Sequence, residues 1–107
     1  MAENEVLFRE VNERVAEVSE KFGLHTVSTI CECATADCTD RFELSRSDYE
    51  GIRSVSARFA VIPGHEKLDI ETVVERREGY LVVEKIGVGA EVAARQDSRN
   101  QPATGED

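Results

Sequence analysis

Tryptophan is absent from this 107-residue chain, proline occurs twice, methionine once, and the aromatics are four Phe and two Tyr. A core made from such a chain must rest on Val, Ile and Leu, and the length supplies one modest core, too little for two. A core so short of large side chains gains from a metal staple. Basic residues are also scarce: 13 Lys and Arg face 22 Asp and Glu, a net charge of −9. That balance argues against nucleic acid, whose phosphates attract Lys and Arg clusters, and against an anionic membrane surface. No apolar run approaches the roughly 20 residues that span a bilayer. The start, Met1-Ala2-Glu3-Asn4-Glu5, is acidic, the reverse of a secretory n-region, so a cytoplasmic location is expected.

Catalytic signatures are missing too. There is no HExxH, no GxSxG elbow and no phosphate-cradling glycine loop. The zinc-deaminase pattern of HxE with PCxxC is absent, since Glu66 directly follows His65. A hydrolytic site can be drawn with His65 or Glu66 as base beside a cysteine-bound metal, but the missing kit points away from an enzyme.

What the chain does have is three cysteines within eight residues, Cys31, Cys33 and Cys38, in the run Cys31-Glu32-Cys33-Ala34-Thr35-Ala36-Asp37-Cys38. An odd number of clustered thiols fits a disulfide framework poorly and fits metal ligation or thiol reactivity in a reducing compartment. Zinc takes four thiolate or imidazole donors in a tetrahedron, so three sulfurs need one more ligand. His65, presented by the turn Pro63-Gly64-His65-Glu66, is the expected fourth; His25 competes, and Asp37 and Glu32 are weaker candidates. Ferredoxin spacings are not matched and four thiolates are not available, which disfavours an iron–sulfur cluster. Unliganded thiols serving as a redox switch are the alternative for the same cysteines.

Periodicity places these residues. Phe8, Val11, Val15, Val18 and Phe22 repeat at 3-4-3-4 spacing and predict an amphipathic helix over residues 3–22, closed at Gly23, with its apolar stripe against the chain's own sheet. Acid-first pairs Glu5–Arg9, Glu10–Arg14 and Glu17–Lys21 support it. The heptad-like spacing also allows a homodimer through this helix. Val27 to Ala34 alternates as a strand with Cys31 and Cys33 on one face. Arg41 to Leu44 reads as a short return strand. Ser45 and Asp48 mark the start of a short helix over about 46–54 that buries Tyr49 and Ile52. Phe59 to Ile62 reads as a strand stopped by Pro63, and Leu68–Glu75 with Tyr80–Ile86 as a hairpin with Gly79 in its turn. A last helical turn or two is expected over Ala90–Ala94. Gln96 to Asp107 has no apolar periodicity and reads as a disordered acidic tail.

The segments Phe8 to Arg14, Cys31-Glu32-Cys33 to Asp37-Cys38-Thr39, Pro63-Gly64-His65-Glu66, Val73-Val74-Glu75-Arg76 and Tyr80 to Lys85 together resemble a group of small bacterial proteins without an assigned function. The resemblance covers about residues 5–95. It implies that the CxCx4C and PGHE segments are paired elements of one site, and it implies no activity. The expectation is therefore an α+β fold over residues 1–95. In it, an N-terminal helix and a short second helix pack on a small antiparallel sheet stapled by a structural zinc on Cys31, Cys33, Cys38 and His65. Its expected role is a protein-interaction or regulatory module whose acidic surface meets a basic protein partner.

Overall fold

A computed structural model describes residues 2–33 and 38–100 of the chain. Helix α1 spans Ala2–Lys21, followed by strands β1 (Thr26–Ile30) and β2 (Arg41–Ser45), helix α2 (Arg46–Arg53), strands β3 (Arg58–Val61), β4 (Glu71–Arg77) and β5 (Tyr80–Lys85), helix α3 (Val88–Arg95) and a single 3-10 turn (Ser98–Asn100). The α+β class is as expected, but the sheet is divided. β1 and β2 form an antiparallel pair, Val27 opposite Leu44 and Thr29 opposite Phe42, while β3, β5 and β4 form a second antiparallel sheet with β5 in the middle.

The central position of β5 follows from its residues. Tyr80, Leu81, Val82 and Val83 are all buried, and a strand covered on both faces reads as an unbroken apolar run. Leu81 and Val83 join Phe59, Val61, Val6, Ala93, Cys31 and Cys33 on one side. Val82 and Tyr80 join Ala60, Val27, Leu44, Tyr49, Ile52 and Ala16 on the other. Phe42 stacks on Tyr80 with ring centroids 5.4 Å apart. Gly79, at φ 91°, closes the hairpin between β4 and β5 in the left-handed region, where a Cβ is disfavoured. At the open end of that hairpin Glu71 and Lys85, opposite each other, form a buried ion pair.

The second helix begins as read from sequence. The Ser45 hydroxyl accepts a hydrogen bond from the Asp48 amide at 3.0 Å, supplying one of the orphan donors of a helix start, and Tyr49 and Ile52 are buried. Helix α3 is longer than the turn or two expected, running two residues further at its start and one at its end.

Helix α1 is present with nearly the expected limits but faces the other way. Val18 and Phe22 of the predicted stripe are 53% and 72% exposed, with Leu7 beside them at 58%. The buried face is Val6, Arg9, Asn12, Glu13, Ala16 and Ser19. This happens because the helix lies against polar backbone. The β1 edge that β2 does not cover needs hydrogen-bonding partners, and α1 supplies them. The Asn12 side chain accepts from the Ile30 amide at 2.8 Å and donates to the Ile30 carbonyl at 2.9 Å, and so replaces a neighbouring strand. Ser19 donates to the Thr26 carbonyl at 2.7 Å. Arg9, expected at the surface beside Glu5, lies over the Phe59 ring 4.4 Å from its centroid and donates to the Ala93 carbonyl at 3.0 Å.

The beginning of the polar end is also fastened, a correction to the expected tail from residue 96. Asp97 is buried, accepting from Arg53 at 2.8 Å and 3.2 Å. Arg53 also donates to Glu13 at 3.1 Å, and Arg99 bonds both Glu13 and Glu50. Buried charge is tolerated when it is paired in this way, and charge pairing across 40 to 86 positions leaves no mark in local periodicity. Residues 101–107 lie outside the described residues.

Candidate metal centre

The centre is built where the two sheets meet. β1 ends at Ile30, sooner than the predicted strand to Ala34, and the next three residues join the sheets together. The Cys31 amide donates to the Asp40 carbonyl at 2.7 Å, extending the β1–β2 ladder by one step. The Glu32 amide then donates to the Ala60 carbonyl on β3 at 2.9 Å. The Glu32 carboxylate accepts from the Ala60 amide at 2.9 Å and from Asn12 at 2.8 Å. One residue thus clamps β3 by backbone and side chain, and its two neighbours, Cys31 and Cys33, are both buried. Burial pushes the Glu32 carboxyl up to about 7, against the pull of the bonds from Asn12 and Ala60.

His65 arrives from the other end of β3. Ile62-Pro63-Gly64-His65 is a tight turn closed by the His65 amide donating to the Ile62 carbonyl at 2.9 Å, with Gly64 at φ 95°. Proline second and a left-handed glycine third are the requirements of a type II turn. The Glu66 carboxylate accepts from the Gly64 amide at 2.7 Å and braces that turn. Amide donors at Glu66 and Gly64 hold its carboxyl below the usual range.

These elements bring together the four residues read from the sequence. One donor atom each from Cys31, Cys33, Cys38 and His65 lie within 4.8 Å of one another. Nδ1 of His65 is 3.6 Å from Sγ of Cys31 and 3.5 Å from Sγ of Cys38. On the far side of the ring, Nε2 is 3.9 Å from a carboxylate oxygen of Asp40. That is too long for a direct hydrogen bond, but the negative charge there favours the tautomer with the proton on Nε2 and the lone pair on Nδ1. The Ile62 amide donates to Sγ of Cys31 at 3.3 Å, a bond that favours the thiolate. Burial works against it and raises the Cys31 thiol; burial also raises that of Cys38. Three thiols and an imidazole gathered this closely could hold a metal ion.

The competing candidates are elsewhere. His25 is exposed and lines a shallow depression with Ser45, Arg46, Ser47 and Glu50. Glu32 has both carboxylate oxygens engaged by Ala60 and Asn12, and Asp37 lies outside the described residues. Sequence reasoning missed Asn12 and the clamping role of Glu32. The available signal was the helical spacing of Arg9, Asn12, Glu13 and Ser19, which marks a polar inner face once a partner for it is sought. No family model matches the chain, and neither a curated protein nor a solved structure matches it.

Proposed function

We propose that Cys31, Cys33, Cys38 and His65 bind one structural zinc ion and that the protein acts as a small interaction or regulatory module. The observation that carries this reading is the spacing of the donors. A tetrahedral ion with zinc–sulfur bonds of about 2.3 Å and a zinc–nitrogen bond of about 2.0–2.1 Å has a nitrogen–sulfur edge of roughly 3.5–3.6 Å. His65 Nδ1 stands 3.6 Å from Cys31 and 3.5 Å from Cys38. Thiolate and imidazole donors suit zinc over calcium or magnesium, which take oxygen. Four protein donors fill a tetrahedron and leave no place for a reactive water, which supports a structural over a catalytic ion. An excess of nine negative charges supports a basic protein as the partner of the acidic surface.

The test is metal content. Purified protein should carry about one zinc per chain; His65→Ala should lower affinity by at least about tenfold, while His25→Ala leaves it unchanged. Cobalt substitution should give the spectrum of a tetrahedral three-thiolate site. Metal-free protein that is fully folded, or equal loss in both histidine variants, would reject the reading.

A second reading is favoured by one observation: Cys38 is partly exposed whereas Cys31 and Cys33 are fully buried. A peroxide would then meet Cys38 first, its thiolate attacking one oxygen to become a sulfenic acid as the O–O bond breaks and hydroxide leaves, and the ion, short of that ligand, would be released. Zinc release at one oxidant per chain, abolished in Cys38→Ser loaded with metal beforehand, distinguishes this switch from a purely structural site.

A further inference from the structure

We propose that Asn12 and Glu32, neither of them a ligand, are positioning residues that set the affinity of the centre for its ion, a role that rests on the zinc reading above. Cys31 and Cys33 stand on the stretch that passes between the two sheets. Ile30 is the last residue of β1. Beyond it the Cys31 amide donates to the Asp40 carbonyl and the Glu32 amide to the Ala60 carbonyl. Four further backbone groups along this seam bond side chains, where a neighbouring strand would ordinarily supply partners. Asn12 accepts from the Ile30 amide at 2.8 Å and donates to the Ile30 carbonyl at 2.9 Å. The Ala60 amide donates to Oε1 of Glu32 at 2.9 Å. The Ile62 amide, two residues on, donates to Sγ of Cys31 at 3.3 Å. The Asn12 amide nitrogen also donates to Oε2 of Glu32 at 2.8 Å. One link therefore runs from Ile30 through Asn12 and Glu32 to Ala60, and both of its side chains are buried.

The link brackets the first ligand. Cys31 lies between Ile30, fixed by Asn12, and Glu32, fixed by Asn12 and Ala60, and Cys33 follows directly. Were backbone bonds to join β1 to β3 along this seam, the Ile62 amide would meet a carbonyl. With side chains in that place it meets the Cys31 sulfur, and a bond of that kind favours the thiolate that a metal needs. Groups that orient ligands from outside the coordination shell are commonly worth about ten- to a hundredfold in metal affinity. Ser19 supplies the contrast. It sits on the same helix and donates to the Thr26 carbonyl at 2.7 Å, at the other end of β1. It thus ties the same two elements together away from the seam.

Zinc affinity of the full chain, measured by competition with a chelator of known affinity, tests this. Glu32→Gln should weaken binding by at least about tenfold, because one of the two donors facing the carboxylate loses its acceptor. Asn12→Asp should weaken it further, and Glu32→Gln carries the test if that variant does not fold. Asn12→Asp with Glu32→Gln reverses donor and acceptor between the two side chains and should bind at least about threefold more tightly than Asn12→Asp alone. Ser19→Ala should stay within about threefold of wild type. Hydrogen exchange on the protein as purified needs no metal. There Glu32→Gln should speed exchange at the Cys31 and Glu32 amides by at least about tenfold, and Ser19→Ala should not. Affinity unmoved by Glu32→Gln, or lowered as much by Ser19→Ala, overturns the positioning role. A wild type that binds no zinc overturns the zinc reading, and the exchange pattern alone then decides whether this pair holds the thiols in place.

Discussion

The knot around Glu13 and the corner around Cys31 both tie together parts of the chain that are far apart in sequence. They use opposite means. In the knot, Glu13 and Asp97 face Arg53 and Arg99, so positive and negative groups answer each other within the protein. In the corner, one donor atom from each of three thiols and an imidazole lies within 4.8 Å of the others, an arrangement that could hold a cation. A closed knot contributes as soon as the chain folds. On the zinc reading proposed above, the corner contributes fully only with its ion, and its stability becomes a function of metal concentration.

The largest separation between the two should come from a chelator. With zinc free at about a thousandfold above its Kd, linkage amounts to roughly 4 kcal/mol, and at about 4–8 °C per kcal/mol for a domain near this size its removal should lower Tm by about 15–30 °C. Cys31→Ser or Cys33→Ser should reproduce that loss and make the protein indifferent to chelator, as calorimetry with and without metal would show. The knot should ignore the chelator and respond to mutation. Asp97→Ala leaves Arg53 partly unpaired in a buried site and should cost about 3–5 kcal/mol in urea unfolding with metal present. A loss under 1 kcal/mol would mean that the knot adds little.

Acid sharpens the contrast. Burial pushes the Glu13 and Asp97 carboxyls up, but bonds from Arg99, Tyr49 and Arg53 to the first, and from Arg53 and the Arg99 amide to the second, outweigh it. Both carboxyls are held below their ordinary range, Asp97 at about 2. A depressed carboxyl contributes its stability above the unfolded value near 4 and loses it as pH falls towards the folded value. The wild type should therefore lose roughly 2 kcal/mol more than Asp97→Asn between about pH 4 and pH 2. The difference between the two curves removes any loss of metal common to both. Gly64→Ala should have the smallest effect: forcing a Cβ into a left-handed position costs about 1–2 kcal/mol. It should lower metal-free stability by that amount and weaken metal affinity as well, since that turn aims His65.

How much of this was open to reading depends on the range of the interaction. Local chemistry spoke clearly. Ser45 and Asp48 announced the start of α2, Pro63-Gly64 announced the turn before His65, and Gly79 announced the hairpin, because each depends on residues within a few positions. Clustering in sequence gave away three members of the candidate centre, and the need for a fourth donor pointed to His65 on its Pro-Gly turn, with His25 left as a competitor. Setting His25 aside needed β3 to be laid beside Cys31 by Glu32. The orientation of α1 was misread for a related reason. An apolar stripe is ordinarily the buried one, yet the neighbour of this helix is a strand edge whose Ile30 amide donates to Asn12 and whose Ile30 and Thr26 carbonyls accept from Asn12 and Ser19, with nothing for Val18 or Phe22 to meet.

Element types, the capped starts, the glycine turns and the trio of sulfurs are therefore written in the amino-acid order, since φ preference, side-chain capping and spacing act over a handful of residues. Which histidine joins the sulfurs, which side of the first helix is hidden, and how Asp97 comes to rest on Arg53 depended on the folded arrangement. Desolvation and the pairing of buried charge are decided by what lies nearby in space, and for these groups such neighbours come from as far as 18 to 86 positions away.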